Sequence, residues 1–336
     1  MKLLVTGGSG FIGSRLALAA RAEALDVVVT GQLNSDTERF RADQLARAGV
    51  AMEVGPLQDP AFARRIVDGC ELVIHLAAAQ HEANVSDAYF EEINVGGTRA
   101  LLAASRAAGV RRFVHGSTIG VYGSAAEGAL DESSPTRPDN IYGRTKLAAE
   151  DVVRAEAGPL EACIVRISET YGPGDFRLLK LFRAIDKGAF FMIGDGQNRR
   201  QVMHVDDLNR GLLLAARHPA AAGQLFVFPG REVMTTRQVV AAIAEALGRA
   251  PPKLRLPLWP FIAAAVVCEG TFRPVGIQPP LHLRRLDFFR KSFVFSTVKA
   301  ESTLGFVPQR SFAEGARETA AWYREHGYLP RGAGKH

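Results

Sequence analysis

The chain has 336 residues, 47% of them hydrophobic and 23% charged, with a formal net charge of +6. That length exceeds one ordinary domain, and the balance is that of a globular protein with a large core, which excludes a disordered or fibrous chain. The positive charge does not read as a nucleic-acid surface, because Lys and Arg are spread along the chain, denser only locally at pairs such as Arg199/Arg200, Arg284/Arg285 and Arg290/Lys291, with no aromatic-interleaved basic motif. An anionic small molecule fits the bias equally well.

Met1 to Val5 reads as a short buried strand that runs into Thr6-Gly7-Gly8-Ser9-Gly10-Phe11-Ile12-Gly13. Gly7 and Gly10 permit a tight turn and close backbone approach to a pyrophosphate, and Gly13 lets the following helix pack on the strand. The phosphates would then rest on that helix's N-terminus. The Gly-x-x-Gly-x-x-Gly spacing departs from the standard dinucleotide fingerprint, so the loop gains meaning only in company. Short Val/Ile/Leu-rich strands are expected near 2–6, 26–30, 50–54, 72–76, 111–116 and 161–167. Longer Ala-rich helices are expected near 11–23, 36–48, 89–108 and 141–157. Such alternation predicts an α/β fold with a Rossmann-type, doubly wound parallel sheet and right-handed crossovers.

The second strand ends in Thr30-Gly31-Gln32-Leu33-Asn34, without the carboxylate that would bind the adenine ribose hydroxyls of NAD. Arg15, Arg39 and Arg41 are the candidates to reach a 2′-phosphate, and no basic residue directly follows the strand. NAD and NADP therefore both stay open as cofactor.

Arg112-Phe113-Val114-His115-Gly116-Ser117-Thr118 is an apolar run ending in hydroxyl residues, which a parallel sheet would present to the crevice at its carboxyl ends. A hydroxyl there can donate to a substrate oxygen as charge develops. Tyr142 and Lys146 follow, spaced by one helical turn, so the ammonium can lie near the phenol. A free phenol titrates near ~10 and is a poor base at neutral pH, whereas a fixed positive charge favours the phenolate. A tyrosine so tuned can take a proton from a secondary alcohol while hydride leaves the same carbon.

Beyond Tyr171 the texture changes to more Pro, Arg and Phe, while 201–217 and 224–228 read as returns to the first domain. The expected division is a dinucleotide-binding domain over 1–171 plus about 201–228, and a smaller, discontinuous α/β substrate domain over about 172–200 and 229–330. Residues 331–336 are expected as a frayed tail. Leu256 to Cys268 is the longest stretch free of polar residues, too short to span a bilayer, and is expected as a buried helix of the second domain. No basic-then-apolar leader opens the chain. Cys70, Cys163 and Cys268 show neither metal spacing nor a disulfide framework, which suits a reducing cytoplasm.

Together these residues resemble an extended short-chain dehydrogenase/reductase of the NAD-dependent epimerase/dehydratase type. The resemblance runs over nearly the whole chain. It also rests on Val73-Ile74-His75-Leu76-Ala77-Ala78, Asn94-Val95-Gly96-Gly97-Thr98, Val121-Tyr122-Gly123, Arg166 with Tyr171-Gly172-Pro173, and His204-Val205-Asp206-Asp207. It implies a catalytic triad of Thr118, Tyr142 and Lys146. Cofactor contacts are expected from Gly7, Gly10, Phe11, Ile12, Gly13, Gln32, Asp59, Leu76, Ala77, Ala78, Asn94, Ser117, Tyr142 and Lys146. Ala77 and Ala78 would line the adenosine side, Asn94 would steady the local backbone, and Lys146 would also bond the nicotinamide ribose. Substrate contacts are expected from Thr118, Tyr171 and Arg200, and no metal is expected. For His204 to Asp207 a place beside the substrate and an acidic helix cap both remain open.

Members that dehydrate nucleotide sugars carry an Asp-Glu pair directly after the catalytic threonine, whereas Ile119 and Gly120 stand here. That leaves reversible oxidation at a carbinol carbon, as an epimerase or a plain dehydrogenase. The Val-Tyr-Gly and Glu169-Thr170-Tyr171-Gly172-Pro173 segments resemble the sugar-nucleotide branch. Gly194-Asp195-Gly196-Gln197-Asn198, Leu256-Pro257-Leu258-Trp259-Pro260 and Gln278-Pro279-Pro280 instead resemble 3β-hydroxysteroid and sterol dehydrogenases. A third reading is a non-catalytic dinucleotide-binding regulator, which the intact triad disfavours. A second copy of the chain is the expected partner, because the resemblance implies pairing through the helices near 89–108 and 141–157.

Overall fold

The computed structural model describes residues 1–80, 85–123, 128–272, 281 and 283–330, the side chains of 284 and 285 excepted. The Arg284/Arg285 side chains, Gln278-Pro279-Pro280 and the tail lie outside the described residues. Two compact units are present. The first holds Met1–Thr170, Val205–Pro229 and Phe295–Pro308, and the second holds Tyr171–His204, Gly230–Val294 and Gln309–His336.

In the first unit, β1 (Lys2–Thr6), β2 (Asp26–Gly31), β3 (Ala51–Val54), β4 (Leu72–His75), β5 (Arg112–Thr118), β6 (Glu161–Ile167) and β7 (Leu225–Phe228) form a seven-stranded sheet. Its order is β7-β6-β5-β4-β1-β2-β3, with every pairing parallel. Strands covered on both faces must be apolar throughout, and Leu3, Leu4, Val5, Val73, Ile74, Phe113 and Val114 are fully buried. The chain runs outward from β1 to β2 and β3, then returns to place β4 on the other side of β1. That reversal is the switch point, and it opens a crevice at the carboxyl ends of β1 and β4.

The crossovers carry α1 (Phe11–Ala22), α2 (Asp36–Arg47), α3 (Pro60–Val67), α4 (Asp87–Glu91), α5 (Gly97–Ala107) and α6 (Ile141–Glu156). The single helix expected over 89–108 is interrupted by a π-helical turn, Glu92–Gly96, which contains Asn94. The helix α3 is not among the helices expected, although Asp59 as N-cap with Pro60 behind it is a recognised start signal.

Residues 295–308, expected with the second domain, pack in the first unit. Phe306 lies 4.6 Å from Phe228 between ring centroids, and Gly211 leaves room for both rings. The apolar end of β7 is thereby covered.

The second unit builds its core from Leu179–Asp186, Thr236–Leu247 and Phe312–Glu325, which bury Phe182, Ile243, Ala316, Ala320 and Tyr323. Leu256 to Cys268 departs from the buried helix expected. The helix Trp259–Phe272 packs Phe261, Ile262 and Ala265 against Ile193 and Leu286, yet leaves Trp259 72% and Val267 64% exposed. An apolar run without a polar stripe gives no signal of which face the solvent takes. Among the described residues no helix is long and apolar enough to cross a membrane.

Candidate active site

The glycine loop is shaped by backbone contacts that exclude side chains. Gly7 has φ +72°, and a Cβ on it would lie 2.9 Å from the Ala77 nitrogen. A Cβ on Gly13 would collide with the Gly7 carbonyl, so the first turn of α1 can approach β1 only with glycine there. Gly10 is the N-cap of α1 and offers no side-chain cap, and no acidic residue stands in the first turn. An uncapped helix start at a switch point suits an anion, so these residues fit the pyrophosphate of a dinucleotide. Phe11, Ile12 and Gly13 supply that turn's amides.

Behind the loop, a buried hydroxyl sets the proton on a buried ring. Thr6 Oγ1 accepts the Leu76 and Ala77 amide protons, each at 3.1 Å, so its own proton goes to His75 Nδ1 at 2.7 Å. His75 therefore carries its proton on Nε2 and donates it to Thr98 Oγ1 at 3.0 Å, and Thr98 donates to the Asn94 carbonyl at 2.6 Å. The Asn94 side chain accepts from Ala79 N at 2.8 Å and donates to Ala79 O at 3.0 Å and to Thr145 Oγ1 at 2.9 Å. Thr145 returns its proton to the carbonyls of Ile141 and Tyr142. The segment after β4, holding Leu76, Ala77 and Ala78, is thus tied to the turn that carries Tyr142.

The helix α6 starts at Asn140, whose side chain accepts from Gly143 N at 2.9 Å. A Cβ on Gly143 would lie 2.8 Å from the Gly120 carbonyl, so this glycine lets α6 press on the turn that follows Thr118. Thr118 ends β5, and its Oγ1 accepts from Gly120 N at 3.0 Å. Tyr142 is half-buried in the first turn of α6, and Lys146 lies one turn on, 1% exposed.

Burial pushes the Lys146 ammonium down to about 8, and the negative charge of Glu150, a further turn along, works against that fall. Lys146 Nζ donates to His115 Nε2 at 3.2 Å. Burial and the Lys146 charge hold His115 well below the ordinary histidine range, so it accepts as a neutral ring. Its Nδ1 has no partner among the described residues.

Glu150 was not anticipated. It is fully buried and takes Arg166 on both oxygens, at 2.9 and 2.8 Å, with Arg154 at 2.6 Å. Burial alone would raise its carboxyl, but the Arg166 hydrogen bonds and charge, with Ser117 and Arg154, outweigh that and leave it below the usual range. Arg166 also donates to Tyr122 Oη at 2.9 Å, and Tyr122 donates to the Asp131 carbonyl at 2.7 Å. The tyrosine of Val-Tyr-Gly therefore serves this buried network. Its signal in the sequence was the run Tyr142, Lys146, Glu150 at intervals of one turn on a single helix.

Other expected residues are placed differently. The Ser117 hydroxyl, expected to face the crevice, donates to Glu150 at 2.5 Å and is 3% exposed, because the buried carboxylate needs the donor. Asp59 caps α3 by accepting from Ala61 N at 2.9 Å. Arg15, a candidate for the ribose phosphate, pairs instead with Asp206 at 2.6 Å, and Asp206 and Asp207 stand in the first turn of Val205–Arg217. Tyr171, expected to touch substrate, is 2% exposed in the second unit, its ring 4.7 Å from that of Phe312 between centroids. Arg200, also in the second unit, donates to Thr236 Oγ1 at 3.2 Å and lies over the Phe288 ring.

Neutral burial of both histidines has a measurable cost in acid. Burial and Lys146 push His75 down to about 3, while an unfolded histidine titrates near ~6.5. Below that pH the unfolded chain binds protons that the native rings refuse, so stability falls by about 1.4 kcal/mol per pH unit for each ring. The contribution of Glu150, present above its unfolded value near ~4.3, is lost as pH falls through its lowered native value. Urea unfolding should show a midpoint that drops from about pH 7 to about pH 5. A flat midpoint contradicts the neutral rings.

Comparison with known proteins gives the family. The profile of the NAD dependent epimerase/dehydratase family matches residues 3–228. A dTDP-glucose 4,6-dehydratase of Streptomyces griseus is 32% identical over 96% of the chain and 94% of its own length. Short-chain dehydrogenase/reductase family 42E member 1 of Mus musculus is 30% identical over 99% and 90%. The crystal structure of a DesIV double mutant, a dTDP-glucose 4,6-dehydratase from Streptomyces venezuelae with NAD and DAU bound, superposes with a TM-score of 0.77 at 30% identity, covering 98% of the chain and 99% of its own.

Proposed function

Because the chain belongs to the NAD dependent epimerase/dehydratase family of extended short-chain dehydrogenases/reductases, we propose that it oxidises and reduces a secondary alcohol carbon of a nucleotide sugar, as an epimerase or dehydrogenase. The observation that carries this reading is the Tyr142-Lys146-Glu150 stripe on α6, with Lys146 buried against His115 beside the end of β5. When bound, the dinucleotide supplies a nicotinamide that accepts hydride and gives it back. Tyr142 takes the alcohol proton as hydride leaves the carbon and a ketone forms, and returns that proton when hydride is restored. Lys146 favours the phenolate, Glu150 keeps the ammonium charged, and Thr118 is the donor for the substrate oxygen. Ile119 and Gly120, which directly follow Thr118, offer no acid or base for removing water.

A screen of UDP-, GDP- and dTDP-sugars against sterols and β-hydroxy acids tests this with purified protein and NAD or NADP. Epimer formation without net cofactor change identifies an epimerase, and substrate-dependent cofactor reduction a dehydrogenase. Turnover confined to sterols contradicts the sugar, and binding without turnover of any alcohol or ketone supports the regulatory alternative. The chain also acts as a homodimer through α5 and α6, a reading supported by Ala103 and Ala148, which remain exposed on those helices. Sedimentation at micromolar concentration should give a two-chain species, and a monomer contradicts that pairing. A cytoplasmic location is supported by Cys70, Cys163 and Cys268 as free thiols.

A further inference from the structure

The adenosine end of the dinucleotide site differs from what NAD recognition needs, and the difference is built into the packing. A carboxylate at the end of β2 would accept the adenine ribose hydroxyls. That place is held by Gly31, where any Cβ would collide with Ser9 Oγ and lie 2.9 Å from Ser9 N. Ser9 is 3% exposed and its Oγ accepts from Gln32 N at 3.0 Å, so it is fixed from both sides. No acidic side chain fits there without moving the glycine loop.

The next side chains are uncharged. Asn34 Nδ2 donates to Gln32 Oε1 at 2.6 Å, which joins two neutral groups at the mouth of the site. The next carboxylates along the chain are committed to α2. Glu38 accepts from Asn34 N and Ser35 N at 2.8 and 2.9 Å in a capping box, and Asp36 pairs with Arg39 at 3.2 Å on the exposed surface. From the second turn of α2, half-buried Arg41 reaches back to the loop, its Nη1 donating to the Ser9 carbonyl at 3.4 Å. A guanidinium is thus carried to the glycine loop at the residue that packs on Gly31.

We propose that the ribose end of this site is built for a 2′-phosphate received by Arg41, so that the chain prefers NADP to NAD. This rests on the reading of the glycine loop as a dinucleotide site. A guanidinium binds a phosphate with charge-assisted, bidentate geometry that a ribose hydroxyl cannot reproduce. Gly31 and Gln32 remove the repulsion an acidic residue would impose.

The test is calorimetric and needs no substrate. Titration of the full chain with 2′,5′-ADP, 5′-AMP, NADP and NAD should show each 2′-phosphorylated ligand binding tighter than its counterpart by roughly tenfold or more. Arg41→Gln should remove most of that difference and leave 5′-AMP and NAD nearly unchanged. The wild-type ratio stands even if the variant is poorly folded. NAD and 5′-AMP binding as tightly as their phosphorylated counterparts, or Arg41→Gln weakening all four ligands alike, overturns the preference while leaving the dinucleotide site intact. Binding of none of the four overturns the site itself and the preference with it.

Discussion

Tyr142→Phe should lower kcat by roughly 10²–10⁴, the range lost when a positioned acid/base is removed, while dinucleotide binding stays close to wild type. The substitution deletes one oxygen from a half-buried ring in the first turn of α6. Asn140 still caps that turn and Thr145 still bonds the carbonyls of residues 141 and 142, so the first turn of α6 keeps these bonds. Steady-state kinetics beside calorimetry with NAD and NADP would separate chemistry from binding. Equal loss of binding and turnover would assign Tyr142 to cofactor binding alone, and unchanged turnover would remove it from the reaction.

Lys146→Met should cost a comparable factor, about 10²–10³, and should also change the pH profile. In the wild type the ammonium, lowered to about 8 by burial, is charged below that pH and supports the phenolate. As pH rises through about 8 the charge is lost, so the wild-type rate of alcohol oxidation should pass a maximum near there. Without the ammonium no fixed charge on α6 favours the phenolate, and the residual rate of the variant should keep rising toward the ordinary phenol range near ~10. Methionine fills the apolar path of the lysine stem, and the chief loss in packing is the donor to His115. Parallel profiles for the two proteins would show that Lys146 does not tune Tyr142.

The glycine loop and the parallel strands were legible because their signals are local. A continuous apolar run is what a strand buried on both faces requires, and Gly7 and Gly13 stand where backbone contact admits no Cβ. Tyr142 and Lys146 were legible because a spacing of one turn puts them on one face. Other features depend on contacts between distant segments. Ser117 ends an apolar strand in either reading, and only the fold brings Glu150 under it. Tyr171 belongs to a resemblance motif, yet it is held by Phe312 from the far end of the chain. His115 reads as a strand residue, and only the fold sets Lys146 against it. The π turn at 92–96 has no periodicity signature, since Asn94 is placed there by its bonds to Ala79 and Thr145.

The most direct measurement is a crystal structure of the chain soaked with NAD or NADP. The account requires the pyrophosphate on the first turn of α1 at Gly10 to Gly13, and the nicotinamide ribose within hydrogen-bond reach of Lys146 with Tyr142 facing the ring. A dinucleotide bound with its nicotinamide away from α6, or none on the glycine loop at saturating concentration, would contradict it.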